Sequence, residues 1–102
     1  AMGVAKRGLK KYKEAEEWYN KATKVDSKDA RPWYNLGVLY QDHMPAQDGT
    51  DQAKIEEYYG IAKKHLQKFR DVAGTDKKLE ASAADAKDRQ IIIDDAIVGF
   101  RK

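Results

Sequence analysis

The chain repeats itself. Glu16-Glu17-Trp18-Tyr19-Asn20-Lys21-Ala22-Thr23-Lys24 lines up with Glu56-Glu57-Tyr58-Tyr59-Gly60-Ile61-Ala62-Lys63-Lys64, with two acids, two aromatics and a lysine in the same order, forty positions apart. A fainter echo places Gly3 and Gly37 34 residues apart, preceded by Met2 and Leu36. The two offsets differ by six, which predicts a six-residue insertion in the second unit, in the stretch Gln41 to Gln52. A supersecondary unit of this length cannot cover its own apolar face and is stable only against a neighbouring unit. The repeat therefore restricts the chain to a stack of small, similar pieces.

Those pieces are helices. With two prolines and seven glycines in 102 residues, long helices are permitted. Val, Ile and Thr nowhere alternate with polar residues over a strand length, and Ile91-Ile92-Ile93 is a run. Six Tyr and two Trp supply bulk that a disordered chain of similar charge would lack. The fold class expected is all-α.

Within the second unit, Trp33, Leu36, Gly37 and Tyr40 form W-x-x-L-G-x-x-Y, which resembles the first helix of a tetratricopeptide repeat. Ala15, Tyr19 and Ala22 form A-x-x-x-Y-x-x-A, which resembles that family's second helix. The interval from Ala15 to Trp33 fits two consecutive repeats in register, and the resemblance covers roughly residues 3 to 69. It implies antiparallel helical hairpins of a tetratricopeptide-like superhelix over 1–74, the first truncated and the second carrying the insertion at about 41–52. A long C-terminal capping helix over 75–102 follows. It also implies a scaffold that binds a protein or peptide. The alternatives are a purely structural C-terminal cap of a longer array, or a self-association module.

Elementary packing supports the pattern. Gly37 lets a neighbouring helix approach its backbone, and Ala15, Ala22 and Ala62 do the same from facing helices. Trp33, Leu36, Tyr40, Tyr19 and Tyr59 then fill the space between hairpins. Along the chain, residues 3–9 read as the end of one helix, followed by a helix from Lys11 to Val25. Asp29 reads as an N-cap and Pro32 as a first-turn residue of a helix reaching Asp42. Pro45 and Gly49 break the chain before a helix from Asp51 to Val72 that closes at Gly74. In the last helix an apolar stripe runs through Leu79, Ala83, Ala86, Ile93, Ile97 and Phe100, with Gln90 interrupting it.

Several function classes find little support. The net charge of +3, from 20 basic and 17 acidic residues interleaved along the chain, lacks the dominant basic face of a nucleic-acid binder. No stretch approaches membrane-span length, and without cysteine there is no thiolate chemistry. Asp42, His43, Asp48 and Asp51 lack the spacing of a calcium loop and read as a solvated turn. His65 reads as a surface or hairpin-seam residue. Asp85 with Asp88, and Asp94 with Asp95, read as hydrated surface acids rather than a catalytic pair. No catalytic, metal or cofactor site is expected. Ala1-Met2-Gly3 reads as a fragment boundary, so a signal, an anchor or further repeats are expected to be able to precede it.

The resemblance does nominate a partner-binding face. Arg31, Tyr34, Asn35, Val38, Gln41 and Asp42 are not required by the small-against-large packing, and the matching face of the family lines a concave groove. There Arg31 would pair with a carboxylate, Asn35 would hydrogen-bond a peptide backbone, and Tyr34 would offer an apolar wall with a polar tip. Uncovered repeat ends near Met2, Val4 and Leu9 would give a homo-oligomer.

Overall fold

The computed structural model describes residues 2–46 and 51–100, with side chains from Lys11 onward. All regular structure among the described residues is helical. Helix α1 spans Met2–Val25 and α2 spans Arg31–Val38, continuing through a π-helical turn at Leu39–His43. Helix α3 spans Gln52–Ala73, and a 3-10 turn at Lys77–Leu79 leads into α4, Glu80–Phe100. Each helix packs on the next in chain order, α1 on α2, α2 on α3 and α3 on α4.

The ends of these helices follow from local chemistry. Asp29 Oδ1 accepts from the Arg31 backbone N–H at 3.2 Å, and Pro32 sits in the first turn. The cap position itself is Ala30, one residue later than the sequence reading placed it. Asp51 caps α3 by accepting from Lys54 N at 2.8 Å. Gly74 closes that helix at φ 53°, a left-handed conformation that costs glycine little. Asp76 Oδ1 accepts from Lys78 N at 2.9 Å and opens the last helical segment.

Two elements differ from expectation. Residues 3–9 belong to the same continuous helix as residues 11–25. No proline interrupts this stretch, and the glycines at 3 and 8 lower helix propensity without breaking the backbone ladder. Second, α2 ends by widening into a π turn, with Met44 N bonded to Leu39 O at 2.9 Å. The extra residue in that turn buries Met44, which is 5% exposed. The remainder of the expected insertion, including Gln47, Asp48, Gly49 and Thr50, lies outside the described residues.

The core lies between α2, α3 and α4. Ala62, Leu66, Phe69 and Ala73 of α3 meet Ala30, Ala86 and Ile93, with Trp33, Tyr34, Tyr40, Tyr59 and Ile97 packed around them. Residues on both sides of the expected division at 74/75 thus share one cluster. At Gly37 α2 lies close against α3. A Cβ built there would lie 2.6 Å from both Cδ2 and Cγ of Leu66, and 3.4 Å from the Ala62 carbonyl oxygen.

Gln90 interrupts the apolar stripe of α4 in sequence but not in space. It is 7% exposed and fully engaged. Its amide donates to Lys63 O at 3.3 Å and to Gln67 Oε1 at 3.2 Å, and its carbonyl oxygen accepts from Arg70 at 2.8 Å. A buried amide with its donors and acceptor satisfied carries little of the desolvation penalty of an unpaired one. It therefore ties α4 to α3 at a fixed register.

Candidate functional site

Between α1 and α2 lies an open groove of about 390 Å³. Helix α1 contributes Lys11, Tyr12, Ala15 and Tyr19 from one face. Opposite them stand Tyr34, Asn35 and Val38 of α2, then Leu39 and His43 of the π turn, while Arg89 of α4 closes one side. The lining combines apolar side chains with phenols, an amide and an imidazole. Sites for small or extended ligands commonly combine an apolar lining with a few polar groups in this way.

Of the six residues nominated from the sequence, Tyr34, Asn35 and Val38 line the groove. Gln41 and Asp42 sit beside it and hold Arg89, whose Nη1 donates to Gln41 Oε1 at 3.1 Å and to Asp42 Oδ2 at 2.9 Å. Arg31 does not join them. Its side chain is 78% exposed and pairs with Asp29 at 3.2 Å, because that carboxylate already faces the first turn of α2.

The Tyr34 hydroxyl is also engaged inside the molecule, donating to Asp85. Asp85 Oδ2 further accepts from Arg89 Nε at 2.7 Å. These two donors hold the Asp85 carboxyl below its ordinary range. Burial, and then Asp85, push the Tyr34 phenol up. For Arg89, burial alone would lower the guanidinium, but its hydrogen bonds to Asp85 and Asp42 outweigh this and raise it. The acids at 94 and 88 stand apart from this network, and Asp94 pairs with Lys63 at 2.6 Å. The polar network thus links α2, the π turn and α4 across one edge of the groove, while Asn35 stands on its wall as an exposed hydrogen-bonding group.

Tyr12, Ala15, Tyr19, His43 and Arg89 were not singled out as groove residues by sequence reasoning. The spacing Tyr12, Ala15, Tyr19 does place all three on one helical face, of which Ala15 and Tyr19 were read as packing residues. His43 reaches the groove because the π turn rotates it onto Tyr12, their rings 5.1 Å apart. Among the described residues no three His, Asp or Glu side chains gather as a metal-holding group.

Behind the groove, His65 sits half-buried at the seam between α2 and α3. Its ring lies 6.0 Å from that of Trp33 and 5.7 Å from that of Tyr40. Burial lowers the imidazole below its ordinary value, with the charge of Glu16 partly opposing. The unfolded chain therefore binds the His65 proton more tightly than the folded one does. Stability contributed here is complete above the unfolded value of roughly 6.5 and is lost as pH falls through the lower folded value. Urea midpoints are expected to fall between pH 7.5 and pH 5.5, and His65→Gln is expected to flatten that dependence. An unchanged slope in the variant would assign the loss to other groups.

The fold and groove define a class, a stack of helical hairpins presenting a furrow between successive units. Residues 3–43 match the family model described as TPR repeat, so this stretch is similar to a tetratricopeptide repeat. The match takes in both motifs: Ala15 and Tyr19 of A-x-x-x-Y-x-x-A line the groove, whereas Trp33, Leu36, Gly37 and Tyr40 of W-x-x-L-G-x-x-Y are not among its lining residues, and Gly37 faces Leu66 of α3. No curated protein and no solved structure gives a match to the chain. Tetratricopeptide repeats are protein-interaction scaffolds and not a catalytic family. No described helix is long and apolar enough to cross a membrane.

Proposed function

We propose that the furrow between α1 and α2 holds an extended peptide segment of a partner protein. The observation that carries this reading is the lining: Tyr12, Tyr19 and Tyr34 beside Asn35 and Val38, open to solvent along the groove. Tyrosine rings give large, rigid contact area at little entropic cost, and an exposed amide can pair with both polar groups of a peptide backbone. Gln41 and Asp42 act indirectly, by fixing Arg89 at the edge. Helix α4, expected from the sequence to be a cap, contributes to the site through that residue. Arg31 has no part in it.

Selection from a random peptide display library against the whole chain tests the reading. Peptides recovered on the wild-type chain are expected to lose at least about tenfold in affinity with Asn35→Ala, the scale of one hydrogen bond left unmade. Tyr19→Ala is expected to cost more, by removing a wall of the groove. Equal binding by both variants, with circular dichroism unchanged, would place the binding elsewhere.

A further inference from the structure

A second surface is independent of the groove. Helices α1 and α4 each pack on one side only, and each carries an exposed stripe facing away from the stack. On α1 the stripe is Trp18, Lys21 and Val25, with Trp18 73% and Val25 88% exposed. On α4 it is Ile91, Asp95 and Val98, with Ile91 50% and Val98 56% exposed, and Ile92 beside them at 60%. Isolated apolar residues on a surface are ordinary, but aligned at helical spacing they form a packing face.

The two stripes are complementary. Along α1 the intervals are three and then four residues; read backwards from Val98, α4 gives the same intervals. Laid antiparallel, as consecutive helices in this chain run, Trp18 meets Val98, Lys21 meets Asp95 and Val25 meets Ile91. The register ends there, because α1 closes at Val25 and Lys28 belongs to the turn that follows. Laid parallel with Lys21 on Asp95, the faces would instead bring Glu14 against Asp88. Pairing α4 with a second α4 would set Asp88 and Asp95 against acids, and pairing α1 with α1 would oppose lysines. Neither Lys21 nor Asp95 forms an ion pair within the described part of the chain.

We infer that the outer face of α4 docks the outer face of α1 from a second copy of this chain, head to tail. The contact extends the order of helix packing seen inside one molecule. It is heterologous, so each added copy leaves a free face of both kinds and growth does not stop at a pair. Lys21 and Asp95 select the orientation, and the apolar residues supply the area removed from water. Because the attraction includes an opposite-charge pair brought together from two exposed faces, rising salt weakens the association.

Sedimentation of the whole chain over a concentration series tests this. The weight-average mass is expected to rise past twice that of one chain, and to rise less in high salt. The variants Lys21→Asp and Asp95→Lys are each expected to remain monomeric, with unchanged far-ultraviolet circular dichroism. Mixing the two is expected to restore assembly, since each then presents the charge the other requires; restoration also certifies that both are folded. A wild-type chain still monomeric at about 1 mM, a mass that stops at a dimer, or variants that associate like the wild type would overturn the inference. So would failure of the mixture to recover.

Discussion

Phe69→Ala is expected to be the most damaging single truncation in this molecule, costing about 3–5 kcal/mol. Phe69 is 1% exposed and lies where α2, α3 and α4 meet, its ring 5.1 Å from that of Tyr34. Removing it leaves a cavity walled by three helices, of which α4 is held in register on α3 by the bonds of Gln90. For a domain of this size the loss corresponds to a fall in melting temperature of roughly 15–30 °C. Since such domains have only about 5–15 kcal/mol in total, the variant is expected to lie near the limit of folding. Thermal unfolding followed by circular dichroism reads the effect. A fall under about 5 °C would mean that the three-helix core is not the main source of stability.

Gly37→Val is expected to cost about 2–3 kcal/mol, although a bare helix would gain from losing glycine. The added Cβ would meet Leu66 at 2.6 Å, at Cγ as well as at a terminal methyl, and Leu66 is completely buried. Neither atom can withdraw without moving α3. Gly60 supplies the opposite case: nothing lies within 4 Å of a Cβ built there, so Gly60→Ala is expected to stabilise by about 0.5–1 kcal/mol. The clash has a specific partner, so Gly37→Val should cost less in a Leu66→Ala background than alone. Equal costs in the two backgrounds would show that the close approach of α2 and α3 is not what excludes a side chain at 37.

These two positions also mark how far the sequence could be read. The need for a missing side chain is written in one residue, so Gly37 announces a close helix approach on its own. Its partner Leu66 lies in another helix, and no local signal names it. The apolar stripe of α4 was legible for the same reason as any helical face, from spacing. Gln90 looked like its interruption because the groups that satisfy it, from Lys63, Gln67 and Arg70, are more than twenty positions away or on another helix. Polar satisfaction is a property of the assembled fold.

The groove divides along the same line. Tyr34, Asn35 and Val38 were visible as residues that packing did not require. Arg89 was not, since its role depends on Gln41 and Asp42 being brought to it across 48 and 47 positions. Nor was His43, which faces Tyr12 only because a single π turn shifts the phase of the helix. Arg31 was named from the face that the resemblance implies, and in the fold its exposed side chain pairs with Asp29, two residues away, at 3.2 Å.

The central reading, that the α1–α2 furrow receives a peptide from a partner, is tested most directly by amide chemical-shift mapping on the labelled chain. A peptide selected by display is added to saturation, and the residues whose resonances move are assigned. The shifts are expected to cluster at Tyr12, Ala15, Tyr19, Asn35, Val38 and His43, on both walls of the groove, and to spare Trp18, Ile91 and Val98 on the outer faces. Shifts confined to the outer faces of α1 and α4, with both groove walls unmoved, would contradict it.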